Sequence, residues 1–145
     1  MKVNIKKLNE NARIPIYSTE FSAGADLCGL MDEPVIIKKG ETKLIKTGIV
    51  MEIPVGYVGL IYARSGLATK KGLAPANKVG VIDSDYRGEI MVALYNHGEQ
   101  DQVLENGERI AQIVIAPFIQ ADFDIKEELN DTVRGTGGFG STGTK

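Results

Sequence analysis

Val79-Gly80-Val81-Ile82-Asp83-Ser84-Asp85-Tyr86-Arg87-Gly88-Glu89-Ile90-Met91-Val92-Ala93-Leu94 holds the strongest structural signal in the chain. A β-branched run ends on a carboxylate, passes through polar and glycine residues, and restarts as a second apolar run. That pattern predicts a hairpin with strands over 78–83 and 89–95. The connection carries two acids, a tyrosine and an arginine between Gly80 and Gly88, more chemistry than a turn needs for its own backbone. Glycine lets a flat ligand approach the main chain, a tyrosine offers it a face, and a carboxylate can activate water. The segment reads as a pocket with its own catalyst.

Outward from that stretch, turn signals recur at short intervals: Asp32-Glu33-Pro34, Lys38-Lys39-Gly40, Pro54-Val55-Gly56, Gly72, Asn96-His97-Gly98 and Glu105-Asn106-Gly107. Between them lie further β-rich runs at 34–38, 42–53, 56–63 and 109–118. Short strands at this spacing predict an all-β sandwich or barrel. Asn106-Gly107 is the strongest two-residue hairpin signal. Helix signals are confined to Ser65–Gly72, with Ser65 as the expected N-cap and Gly72 just past the end. No internal repeat is present. The residues split into a single β domain over 1–133 and a glycine-rich arm over 134–145, Arg-Gly-Thr-Gly-Gly-Phe-Gly-Ser-Thr-Gly-Thr-Lys. Such an arm cannot bury enough apolar surface to order itself; it is a loose terminus or it orders on something.

Composition narrows the function. The chain has 145 residues, 43% hydrophobic and 25% charged, ordinary values for one soluble globular domain. A net charge of −2 lacks the basic footprint of a nucleic-acid coat. Cys28 is the only cysteine and His97 the only histidine, so an ordinary Cys/His zinc site cannot be assembled and zinc-dependent deamination is excluded. A hard ion such as Mg²⁺, held by substrate phosphates and water rather than by the protein, is the metal that remains. His97 reads as a turn residue. The start, Met1-Lys2-Val3-Asn4-Ile5-Lys6-Lys7, has no apolar signal-peptide core, and no run is long enough to span a membrane. The expected location is the cytoplasm.

Several smaller constellations carry chemistry. Ala63-Arg64-Ser65-Gly66 sits where a strand meets the short helix. It reads either as a plain cap with a surface arginine, or as an anion site built from free amides and a guanidinium. Gln112, within Ile110-Ala111-Gln112-Ile113-Val114-Ile115, shares a strand face with Ile110 and Val114. Its amide needs a partner, a neighbouring backbone group or a ligand phosphate. Asp83 and Asp85 share a face if 83–85 is extended and diverge if a turn begins at Ser84. Asp83 directly ends the apolar run and is better placed at a pocket floor. Arg87 and Asp85 are free to pair with each other or with solvent. Asp26 reads as the holder of a neighbouring arginine, and Arg109 as a structural partner. In the arm, Gly138 and Gly143 have the spacing of a phosphate loop without its Lys-Ser/Thr pair or its helix. Glycine amides with Ser141 and Thr142 can still wrap phosphate oxygens, and Phe139 can stack on a base.

Five segments taken together resemble the trimeric deoxyuridine triphosphatases: Ala-Gly-Ala-Asp-Leu at 23–27, Arg-Ser-Gly-Leu-Ala at 64–68, Gly-Val-Ile-Asp-Ser-Asp-Tyr-Arg-Gly at 80–88, Gly-Glu-Arg-Ile-Ala-Gln at 107–112 and Arg-Gly-Thr-Gly-Gly-Phe-Gly-Ser-Thr-Gly at 134–143. The resemblance implies an all-β jelly-roll, a β-clip-like barrel forming a homotrimer with one short helix, active sites at subunit interfaces, and a flexible arm from one subunit closing over a site built by others. It implies hydrolysis of dUTP to dUMP and pyrophosphate with Mg²⁺, which keeps uracil out of DNA and supplies dUMP for thymidylate synthesis. Asp83 is then the general base. Asn77, Val81, Ile82 and Met91 belong to the uracil pocket, and Tyr86 lies against the deoxyribose. Arg64, Ser65, Gly66 and Gln112 face the phosphates. Arg134, Gly138, Gly140, Ser141 and Thr142 cover them, with Phe139 over the uracil. Ala63 replaces a proline common before Arg-Ser-Gly, and Leu60 stands where a basic residue is often found. The competing readings are a zinc-free dCTP deaminase of the same fold and a non-catalytic nucleotide-sensing trimer.

Overall fold

The structure is a computed structural model in which residues 1–138 are described. These residues form the strands β1 (Asn4–Lys7), β2 (Ile16–Tyr17), β3 (Ala25–Cys28), β4 (Val35–Ile37), β5 (Thr42–Lys46), β6 (Ile49–Glu52), β7 (Tyr57–Tyr62), β8 (Leu73–Pro75), β9 (Gly80–Ile82), β10 (Met91–Asn96), β11 (Gln102–Leu104) and β12 (Arg109–Pro117), with one wide helical turn at Leu67–Lys71. All strand pairs are antiparallel. They assemble as β2-β3-β12-β7-β9, β5-β10-β8, β1-β6 and β4-β11.

The all-β expectation holds, but the hairpin over 79–94 does not form. β9 pairs with β7, whereas β10 lies between β5 and β8 in another sheet. A tight hairpin needs a short connection, and the chain from Asp83 to Ile90 is long enough to cross instead. Its far end is pinned to the other sheet: Ile90 donates its amide to Ile49 O at 2.9 Å, and Thr47 Oγ1 donates to Ile90 O at 2.5 Å. Asn106-Gly107 likewise turns the chain, with Glu108 N donating to Glu105 O at 3.1 Å. Its flanking strands nevertheless pair elsewhere, β11 with β4 and β12 with β3. Among the described residues β2 and β3 are the only consecutive strands that pair. This crossing between sheets is the connectivity of a jelly-roll.

The expected single run over 42–53 is cut at Thr47-Gly48. Gly48 has φ +70°, and a Cβ there would stand 2.5 Å from Leu30 Cδ2 and 2.8 Å from Ala12 Cβ. The break lets β5 join β10 while β6 joins β1. Inward side chains from the separate sheets then meet in one core: Leu27, Ile61 and Ile113 with Ile45, Val92, Leu94, Leu73, Ile37, Leu104 and Ile49. The turn at 96–98 is closed by buried Asn96, which donates to Ile37 O at 2.9 Å and Gln100 O at 2.8 Å, while His97 is exposed. No helix among the described residues is long and apolar enough to cross a membrane.

Candidate active site

Asp83 follows β9 directly and opens a turn in which Tyr86 N donates to Asp83 O at 3.2 Å. Ser84 and Asp85 are its central residues, so the two acids diverge. Val81, Ile82, Asp83 and Tyr86 line a cleft of ≈ 230 Å³ together with Leu44, Glu89 and Met91. The crossing described above builds this cleft, because it sets Leu44 and Met91 of one sheet against Val81 and Ile82 of the other. Tyr86 folds back over Gly88, and its Oη donates to Glu89 O at 3.1 Å. A Cβ at residue 88 would stand 2.3 Å from that Oη. This glycine therefore makes room for the tyrosine ring. Arg87 pairs with Glu52, not with Asp85. Asn77 is exposed in the turn before β9 and is not among the lining residues.

A second, larger cleft of ≈ 740 Å³ is lined by Arg64 and Gly66 with Arg13, Tyr17, Ser18, Asp26, Lys70, Lys71, Glu108 and Arg109, among others. Asp26 organises its cations, accepting from Arg64 Nε at 2.6 Å, Arg109 Nη1 at 3.2 Å and Ser18 Oγ at 3.2 Å. Its side chain is 12% exposed and that of Arg64 is 25% exposed. A charge so shielded needs the pairing it has, and the pairing fixes the direction of the Arg64 fork. Gln112 donates Nε2 to Ala63 O at 2.9 Å, so the neighbouring backbone is its partner in this structure. The shared face of Gln112 with Ile110 fails. A register shift between Arg109 and Ala111 turns both Ile110 and Ala111 into the core, as a bulge does. Ser65 is not a side-chain cap: the helical turn starts at Gly66 with none, and Ser65 gives only its carbonyl, to Thr69 Oγ1 at 2.7 Å. Gly72 closes that turn with φ 66°, as expected.

The two clefts share no lining residue. Ile82 pairs with Gly59, which sets Asp83 level with Val58 at one end of β7, whereas Arg64 lies beyond Tyr62 at the other. At about 3.3 Å per strand residue the separation is roughly 15–20 Å. Arg134 bonds locally, donating Nε to Gly137 O at 2.8 Å, and Gly138 is the last described residue. Phe139, Gly140, Ser141 and Thr142 lie outside the described residues. Sequence reasoning missed Leu44 and Glu89 in the first cleft and Arg13, Tyr17, Ser18, Lys70 and Lys71 in the second. The adjacent lysines at 70–71, the first exposed and the second half-buried, are the one signal visible in the sequence. Leu44 had none, since it reaches its cleft through pairing of β5 with β10.

Among the described residues, no group of three or more His, Cys, Asp or Glu side chains is placed to hold a metal ion. The model of the dUTPase family matches residues 10–143. A deoxyuridine 5'-triphosphate nucleotidohydrolase of Nautilia profundicola is 56% identical over 143 residues, covering 99% of both chains. A dUTPase mutant of Staphylococcus bacteriophage 80alpha, solved with dUpNHpp, superposes with TM-score 0.87 at 30% identity over 99% of both chains. A mutant dUTPase from phage phi11 of S. aureus, described for its coordination of a structural Mg(II) ion, superposes with TM-score 0.81 at 26% identity over 90% of this chain and 100% of its own.

Proposed function

The chain belongs to the dUTPase family and hydrolyses dUTP, and from that premise we propose how its residues divide the work. The base and sugar enter the cleft at Val81, Ile82, Tyr86 and Met91, with Asn77 at its approach. Asp83 takes a proton from a water whose oxygen bonds to the α-phosphorus. The bond from that phosphorus to the bridging oxygen breaks, leaving dUMP and pyrophosphate. Arg64, Ser65, Gly66 and Gln112 hold the phosphates, with Arg134 and Gly138 through Thr142, Phe139 included, closing over the nucleotide. Mg²⁺ is carried on the phosphates and water, where it screens their charge. The gathering of Val81, Ile82, Asp83, Tyr86 and Met91 around one cleft supports this reading most strongly.

Uracil is selected by hydrogen bonding. Its O4 accepts where the cytosine amine donates, so donors facing that position are left unpaired by cytosine.

A homotrimer with sites shared between copies completes the proposal. A general base must lie within hydrogen-bond reach of the attacking water, and that water must reach the phosphorus whose phosphates Arg64 holds. Asp83 and Arg64 of one chain are too far apart for that, which supports a site drawing on two copies. Cys28 as the lone thiol suits a reducing compartment, and we place the enzyme in the cytoplasm.

The test is incubation of dUTP with Mg²⁺ for the chain as written and for Asp83→Asn. Pyrophosphate release by the first and a loss of roughly 10²-fold or more in the second are expected. Equal rates would remove Asp83 as the base.

A further inference from the structure

We propose that Arg87 is a positioning residue for the catalytic turn, held in place by Glu52 and Asn4. The inference rests on the reading of Asp83 as general base. Arg87 Nη1 donates to Ser84 O at 2.7 Å and to Tyr86 O at 3.0 Å, gripping two carbonyls of the turn that begins at Asp83. The turn has one backbone bond of its own, from Tyr86 N to Asp83 O, and it is long at 3.2 Å. Arg87 Nη2 reaches Glu52 Oε1 at 3.4 Å, and the other oxygen of Glu52 accepts from Asn4 Nδ2 at 2.7 Å. Asn4 and Glu52 are register partners across β1 and β6. The guanidinium therefore ties a solvent-facing loop to a paired sheet in a direction that the β9 ladder does not control.

The arrangement uses properties peculiar to arginine. Its planar fork donates to several acceptors in fixed directions, whereas a lysine ammonium can satisfy Glu52 but cannot reproduce the fork. The side chains of Arg87 and Glu52 are 50% and 53% exposed, so their ion pair adds little to stability. What such a contact can control is geometry, and small misplacements of a reacting group carry large rate penalties.

The experiment is a double-mutant cycle with Arg87→Gln and Asp83→Asn, reading kcat and KM for dUTP with Mg²⁺ and the unfolding midpoint of each protein. The expected result is a kcat loss of roughly tenfold for Arg87→Gln, with KM and midpoint little changed. In the Asp83→Asn background the same change should cost under about threefold, because a residue acting through an absent base has nothing left to position. Glu52→Gln, which leaves the fork intact but loosens its anchor, should lower kcat by less than Arg87→Gln does. A kcat for Arg87→Gln within twofold of the unaltered enzyme overturns the proposal, as does an equal loss in both backgrounds. Full activity of Asp83→Asn alone would instead defeat the assignment of the base, a result distinct from either.

Discussion

Asp26 shows how one carboxylate sets the direction of two cations. With Arg64 at 2.6 Å and Arg109 at 3.2 Å, it fixes the guanidinium that we propose faces the phosphates. Replacing it by Asn removes the counter-charge from a mostly shielded arginine. Hydrogen bonds to charged groups contribute about 1.5–3 kcal/mol, so Asp26→Asn should lower unfolding free energy by about that much in a urea titration, with a higher KM for dUTP. Gly88 gives a second test. A Cβ there collides with Tyr86 Oη, 2.3 Å away, and the tyrosine ring must leave its place over residue 88. Gly88→Ala should raise KM about tenfold, equivalent to about 1.4 kcal/mol of lost binding, while kcat changes less. An unaltered KM would mean that Tyr86 does not lie against the sugar. Both roles were partly legible in the sequence. Asp26 was recognisable as an arginine holder because a lone acid in a small-residue strand has few other uses. Gly88 reads in sequence as room for a ligand, whereas the room is taken by Tyr86, which no local pattern announces.

At the scale of the strands, periodicity located most of the β-rich runs but not their partners. β12 appears at Arg109–Pro117 against an expectation of 109–118, and β10 at Met91–Asn96 against 89–95. Pairing was missed because turn chemistry describes only the local reversal of the chain. Whether the strand after a turn returns to its neighbour or crosses to another sheet is set by distant contacts such as Thr47 to Ile90. The break at Gly48 belongs to the same class, since its positive φ and the crowding by Leu30 and Ala12 are invisible in a run of strand formers. Gly48→Ala should destabilise the fold by about 2–4 kcal/mol, combining left-handed strain with overpacking, and thermal unfolding will read it. The arm makes a functional prediction at this scale. Deleting 134–145 should cripple turnover and leave a folded assembly, because the strands end at Pro117. Unchanged kinetics after that deletion would show that the arm takes no part in the site.

The whole molecule leaves apolar surface that one copy does not cover. Ile119, Phe123, Ile125 and Leu129 are 95%, 91%, 95% and 86% exposed, all beyond the last strand. Covering such side chains is worth about 1.5–3 kcal/mol each, a drive toward association that fits the proposed trimer. Light scattering should report three times the chain mass of 15.7 kDa. The division of the site is the central claim, and it follows from the antiparallel run of β7 and β9, which sends Asp83 and Arg64 to opposite ends. Mixed assemblies test it most directly. Asp83→Asn and Arg64→Ala chains, each expected to be inactive alone, are co-expressed in equal amounts and the purified mixture is assayed on dUTP. If each site takes Asp83 and Arg64 from different copies in a symmetric assembly, about a quarter of the sites regain both groups and activity returns to about that fraction. A mixture as inactive as its two components would contradict the shared site.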